Sequence, residues 1–198
     1  MKTRYRELSI WNSSPEDLIG GYDQLLRGNM QGRDAYFINF MFNPHPGRTD
    51  AKIEQMRQEV ARVHDILTRH VVRKPHSDNW AHLRPIFIGC PDYPVAKNHR
   101  TERLKDVKIN DGLHFNVHAL VPCPCVLHPG MNQHPFVQKQ SRLRVPLDEH
   151  FAQNEHIYLT DKLRTIHVTR ITRGAMADYT LKNVKKGRID PDDILILK

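Results

Sequence analysis

The sequence predicts an α+β fold in which helices pack on a mainly antiparallel sheet. Stretches rich in aromatic and β-branched residues alternate with stretches whose apolar residues recur every three or four positions. The resulting order is strand, helix, strand, strand, short helix, strand, helix, which indicates an antiparallel sheet with helices packed on it. The length and the lack of internal repeats predict a single domain over residues 1–198.

The first half of the chain supplies two predicted helices and two predicted strands. A helix start at residues 13–18 is indicated by Pro15 at an early position. Residues 35–42 form the clearest strand, and Thr49 or Asp50 can cap a long helix that ends before Pro75. A second strand is predicted at residues 84–90. The long helix should lay one apolar stripe on the sheet, made of Ile53, Met56, Val60, Val63, Leu67 and Val71.

The second half contributes two more strands and two helices. Residues 110–112 predict a turn into a strand over residues 113–121, and residues 145–159 predict a short helix. A fourth strand is expected at residues 165–171, followed by a helix over 175–186 that Gly187 closes. On this last helix we expect Leu181 and Val184 in the core stripe and Tyr179 with Lys182 on another. The final residues, 192–198, could add a further strand.

The charge of the chain favours a polyanionic partner. Thirty Lys and Arg against twenty-two Asp and Glu give a formal net charge of +8. The three cysteines do not form a secreted disulfide framework, so we expect a reducing, cytoplasmic location. No apolar run approaches membrane-spanning length and the polar N terminus is not a secretory signal, so no membrane partner is expected.

The strand over residues 113–121 carries the main functional signal. Its apolar residues alternate with His114, Asn116 and His118, which therefore share one face. Residues two apart on a strand are about 7 Å apart and can converge on one ion, whereas residues four apart, at about 13 Å, need a bulge. The candidate pairs are thus His114 with Asn116, or Asn116 with His118, and Asp92 is the candidate carboxylate ligand. The alternative is a polar face that packs under a helix or meets solvent.

Tyr179 and Lys182 lie one turn apart on the last predicted helix and suggest phosphodiester chemistry. A phenolate that attacks phosphorus forms a covalent protein–DNA bond, which a later hydroxyl can reverse. Because phenol has a pKa of about 10, it needs a nearby cation, and Lys182 could supply that charge or bind the scissile phosphate. A divalent metal would polarise the phosphate. The same spacing also occurs on ordinary exposed helix faces.

Taken in order, residues 36–43, 113–121 and 166–184 resemble the three motifs of rolling-circle replication initiators, which belong to the HUH endonuclease superfamily. The resemblance covers residues 35 to 187 and leaves residues 1–34 as an N-terminal extension. It implies a sheet of RRM-like topology with the histidine strand at its middle. In this comparison Asn116 and His118 occupy the two histidine positions of the motif, so that Asn116 stands where the first histidine belongs.

The resemblance implies nicking and rejoining of single-stranded or hairpin DNA through a 5′-phosphotyrosine, with Mg²⁺ or Mn²⁺. Tyr179 would be the nucleophile and Lys182 its helper. The alternative is a catalytically degenerate relative that only binds DNA or RNA. The chain has no helicase P-loop, so unwinding would come from a host helicase. Basic residues in two segments would hold DNA phosphates: Lys97, Arg100, Lys185, Lys186 and Arg188.

Overall fold

The computed structural model describes residues 14–93, 109–124, 141–172 and 180–198. Five α-helices and five strands lie in these ranges. The helices are α1 (Pro15–Gly28), α2 (Thr49–Val71), α3 (Leu147–Gln153), α4 (Glu155–Tyr158) and α5 (Lys182–Lys185). The strands are β1 (Arg33–Phe42), β2 (Ile86–Asp92), β3 (His114–Pro122), β4 (Leu163–Arg170) and β5 (Leu195–Leu197).

The strands form one antiparallel sheet in the order β4-β1-β3-β2-β5. Helix α2 connects β1 to β2, and α3 with α4 lies between β3 and β4, so the core has the βαββαβ order of a split βαβ fold. The predicted α+β class is confirmed, and the predicted histidine strand, β3, is the central strand. The end of the chain adds β5 at the edge beside β2.

The first face of the sheet is covered by α2. The six apolar residues of the predicted stripe on α2 are all buried, and they pack on the alternating apolar residues of β3 in one cluster. Because side chains alternate along a strand, His114, Asn116 and His118 lie on the opposite face of the sheet, away from α2. The predicted cap of α2 is wrong: the helix already begins at Thr49, so Arg48 takes the cap position and makes no side-chain cap hydrogen bond.

The second face of the sheet is covered by α1 and α5. Ser14 and Asp17 form a capping box at the start of α1, which confirms the predicted helix start. Ile19 and Leu26 of α1 join a second buried cluster with residues of β2, Leu120 of β3 and Leu181 before α5. Helix α1, which lies before the motif-bearing residues, is therefore part of the layer over the face of β3 that carries Leu120.

Two helices differ from their predicted spans. The predicted helix over 145–159 is divided at Asn154 into α3 and α4. Of the helix predicted over 175–186, the described part is helical only at Lys182–Lys185, and Gly187 follows with a left-handed φ of 61°. Residues 173–179, which include Tyr179, lie outside the described residues. No helix in the described part of the chain combines the length and apolar composition needed to cross a membrane.

Candidate active site

The register of the sheet decides which polar side chains of β3 can meet. Against β2 the pairs run one to one, with His114 opposite Asp92, Asn116 opposite Cys90 and His118 opposite Ile88. Against β1, Asn116 lies opposite Asn39. Since the ladder has no register shift between His114 and His118, the bulge that would bring both histidines together does not occur.

The carboxylate of Asp92 is the centre of the polar cluster. Only 1% of its side chain is exposed. Its Oδ2 atom lies 2.6 Å from Lys182 Nζ, accepts a hydrogen bond of 2.5 Å from Asn116 Nδ2, and lies 3.5 Å from His114 Nε2. Its Oδ1 atom accepts a hydrogen bond from Asn183 Nδ2. Two strands and the C-terminal helix therefore meet at one buried carboxylate.

The charge of Asp92 is stabilised by its neighbours. Burial by itself would raise the pKa of this carboxyl group, but His114 and Lys182 outweigh burial and hold the pKa below its usual value. The carboxylate is therefore ionised at neutral pH. A buried ion of this kind is tolerated only when charges and hydrogen bonds compensate for lost water, and here Lys182 supplies the charge.

His114 is oriented as a metal-binding histidine would be. Its Nδ1 lies 3.0 Å from the carbonyl oxygen of Gly112, and because a carbonyl only accepts, Nδ1 must carry the proton. Its Nε2 faces Asp92 Oδ2, where it donates to the carboxylate when both ring nitrogens carry protons and offers its lone pair to a metal ion when only Nδ1 does. Histidine ligands usually donate the second ring N–H to a carbonyl or carboxylate in this way. Two ligands about 2.1 Å from one ion are roughly 3–3.5 Å apart, so the 3.5 Å separation of Nε2 and Oδ2 is compatible with a shared ion.

Asn116 is held between two partners that fix the orientation of its amide. A carboxylate cannot donate, so the Asn116 amide nitrogen must face Asp92. Its carbonyl oxygen then accepts a 2.8 Å hydrogen bond from Asn39 Nδ2. In this arrangement Asn116 positions Asp92, and its oxygen, which the sequence suggested as a metal ligand, is directed at Asn39.

His118 makes a different contact, four residues further along β3. Its Nδ1 lies 3.0 Å from Thr180 Oγ1, and both side chains are buried. Burial lowers the pKa of His118 to about 4, so the ring is neutral at physiological pH. Its Nε2 is buried without a hydrogen-bond partner among the described residues. The backbone carbonyl of Thr180 also accepts a hydrogen bond from Cys90 Sγ, at 3.1 Å.

The donors near Asp92 partly fit a divalent metal ion. An imidazole nitrogen and a carboxylate oxygen suit Mn²⁺, and the carboxylate also suits Mg²⁺. Within residues 14–93, 109–124, 141–172 and 180–198, however, no three His, Cys, Asp or Glu side chains lie close enough together to hold a metal by themselves. His114 and Asp92 would therefore need amide oxygens, water or substrate to complete the coordination.

The structure brings several predicted site residues together and adds others that the sequence analysis missed. Asp92, His114, Asn116 and Lys182 meet directly, whereas His118 lies further along the strand with Thr180. Asn183 and Asn39 were missed. The signal for Asn39 was a polar residue inside an otherwise apolar, aromatic strand. Of the predicted DNA-binding residues, Lys185, Lys186 and Arg188 are exposed, while Lys97 and Arg100 lie outside the described ranges.

Comparison with known proteins does not assign the chain to a family. The chain matches no protein-family model, and no curated protein or solved structure matches it at a significant level. The function of the chain is therefore inferred from its motifs and from the geometry around Asp92.

Proposed function

We propose that this protein nicks and joins single-stranded or hairpin DNA through a covalent 5′-phosphotyrosine, as a single-tyrosine member of the HUH endonucleases. One observation supports this most directly. Thr180, the residue after Tyr179 in the chain, is bound to His118 of the central strand, and the next turn binds Asp92 through Lys182 and Asn183. The segment that carries the candidate nucleophile is thus anchored to the strand that carries the candidate metal ligands.

In the proposed reaction the phenolate oxygen of Tyr179 bonds to phosphorus and the bond from phosphorus to the 3′ oxygen breaks. The departing 3′ oxygen takes up a proton, and the reverse attack by a 3′ hydroxyl restores the phosphodiester and releases the tyrosine. His114 and Asp92 would hold Mg²⁺ or Mn²⁺, which supplies charge neutralisation at the phosphate when bound. Asn116 and Asn183 keep the Asp92 carboxylate in place.

The surface next to this cluster suits a DNA backbone. Lys185, Lys186 and Arg188 are exposed directly after the residues that bind Asp92, and the whole chain is basic. Phosphate contacts of this kind position a strand without reading its sequence. We expect binding to weaken steeply as the salt concentration rises, with a host helicase supplying the unwound strand.

The test is covalent capture of DNA. Incubation with Mn²⁺ and a varied set of single-stranded and hairpin oligonucleotides should give a protein–DNA adduct that survives denaturing electrophoresis. The adduct should be absent in Tyr179→Phe and present in Tyr22→Phe, a matched variant of a half-buried tyrosine on α1. An adduct that persists in Tyr179→Phe, or no adduct with any oligonucleotide or metal, would refute the proposal.

A second candidate function is binding of DNA or RNA without catalysis. It is favoured by the contacts that already balance the charge of Asp92: Lys182 pairs with the carboxylate and two amides donate hydrogen bonds to it, with no metal ion. A purely structural polar network would have the same contacts. This candidate predicts salt-dependent binding of single strands together with an absence of covalent adduct.

A further inference from the structure

We propose that the Lys182 ammonium group is the resident counter-ion of Asp92 and that a divalent metal ion must displace it. Asp92 is then one cation site with two alternative occupants, the lysine and the metal. This inference rests on the metal site of the proposed function and gives Lys182 a role that the sequence motif does not imply.

The ammonium group of Lys182 lies where it would conflict with a metal ion on Asp92. Lys182 Nζ lies 2.6 Å from Asp92 Oδ2, and His114 Nε2 approaches the same oxygen at 3.5 Å. A metal held by His114 and Asp92 would bind this oxygen on the side that the imidazole faces. An ammonium and a divalent ion on one carboxylate oxygen would be only a few ångströms apart, and in a buried setting their repulsion is weakly screened.

The lysine side chain can leave Asp92 while the rest of the site stays in place. One quarter of the Lys182 side chain is exposed, whereas Asp92 is 1% exposed, so the flexible lysine chain has a route to solvent. Asn116 and Asn183 still donate to the two carboxylate oxygens after the lysine moves. His114 remains tied to Gly112. The carboxylate therefore keeps its orientation for a new cation.

Displacement links metal binding to DNA binding. Without metal, Lys182 neutralises Asp92 and the protein avoids an uncompensated buried charge. With metal bound, the ammonium group moves away from Asp92 and becomes available to a phosphate on the adjoining basic surface. The helper role of Lys182 towards the scissile phosphate would then begin only after the metal is in place.

The test measures Mn²⁺ affinity by isothermal titration calorimetry on the full chain without DNA. Removing the competing ammonium in Lys182→Met should tighten Mn²⁺ binding at least tenfold, and Lys182→Gln, which keeps a donor without the charge, should do the same. Lys74→Met removes an exposed lysine outside the site and should leave the affinity unchanged. Affinity that is unchanged or weaker in both Lys182 variants, or no Mn²⁺ binding in any protein, would overturn the proposal.

Thermal unfolding gives a second readout that needs no catalysis. Without metal, Lys182→Met should melt below the wild type because Asp92 loses its counter-ion, and Mn²⁺ should raise its melting temperature by more than it raises that of the wild type. An equal rise in both proteins would count against displacement. Neither measurement uses the DNA adduct, so failure of the nicking reaction and failure of this inference are separate results.

Discussion

His118 on the central strand is hydrogen-bonded to Thr180, with 3.0 Å between Nδ1 and Oγ1, and neither side chain is exposed to solvent. Cys90 holds the backbone carbonyl of the same threonine. The pKa of the Cys90 thiol is raised to about 12 by burial first and then by the charge of Asp92, so the sulfur keeps its proton and can donate. Two neighbouring strands thus fix the chain directly after Tyr179.

Removing the Thr180 hydroxyl should loosen this anchor. Thr180→Val keeps the shape of the side chain but leaves His118 Nδ1 without its partner, so we expect the free energy of unfolding to fall by about 1–3 kcal/mol. Thr180→Ser retains the hydroxyl and should lose less. If the anchor positions the nucleophile, adduct formation should slow in the valine variant while Mn²⁺ affinity stays constant. Equal adduct rates in the two variants would show that the hydroxyl has no positioning role.

The two histidines of β3 should respond differently when metal binding is measured. His114 faces Asp92, whereas His118 is bonded to Thr180 four residues away, so His114→Ala should abolish Mn²⁺ binding and His118→Ala should largely preserve it. Calorimetric titration of both variants checks this. Loss of binding in His118→Ala with retention in His114→Ala would instead support the pair that the family motif suggests, Asn116 and His118.

The features that the sequence predicts well are those set by local periodicity. The alternation along β3 places His114 and Asn116 on one face because strand geometry allows no other arrangement, and the three-to-four spacing on α2 places Val60 and Leu67 in the core. The sequence predicts that Asp92 lies at the end of a nearby strand, but not which residue of β3 it faces. Its place directly opposite His114 depends on the β2–β3 register, which a strand pattern alone does not specify.

The parts that could not be predicted depend on contacts between distant residues. Asn183 reaches Asp92 across 91 positions of sequence, and Asn39 reaches Asn116 across 77. A single asparagine on a predicted helix gives no sign that it will bind a buried carboxylate. The sequence alone also predicts Lys182 as a cation available to phosphate. Its ion pair with Asp92 forms only when α5 packs on the sheet, so no local pattern predicts it.

Acid should destabilise the protein through buried histidines, of which His150 is the clearest outside the candidate site. Its Nε2 lies 2.9 Å from Tyr158 Oη, and its pKa is lowered from 6.5 to about 4, by burial first and then by His70. A pKa lowered by folding means that stability is fully present above the unfolded value of 6.5 and is lost as the pH falls towards 4.

The matched variant is His150→Gln, which can still bond Tyr158 but does not titrate. Between about pH 7 and pH 4.5 the wild type should lose about 2 kcal/mol more than this variant in urea unfolding. His118 titrates in the same direction and remains in both proteins, so the variant should keep some acid sensitivity. Asp92 adds its own loss only below about pH 4, where this carboxylate takes up a proton in the unfolded chain while the lowered pKa keeps it ionised in the folded protein. Identical pH profiles would show that His150 is not held neutral by folding.

Gly89 should be among the least replaceable residues of the sheet, because β2 and β3 leave no room for a side chain there. A Cβ atom at this position would lie 2.5 Å from the backbone oxygen of Asn116 and 2.6 Å from Val117 Cγ2. The backbone oxygen cannot move without breaking the ladder that sets Asn116 beside Asp92. We therefore expect Gly89→Ala to lower the free energy of unfolding by about 3 kcal/mol and to weaken Mn²⁺ binding, because the clash displaces Asn116.

Gly21→Ala is the control: a Cβ on this exposed residue of α1 meets nothing within 4 Å, so alanine should stabilise the helix by up to about 1 kcal/mol. Urea unfolding of both variants measures the difference, and a Gly89→Ala protein as stable as the wild type would mean that β2 and β3 are not as closely paired as the register requires.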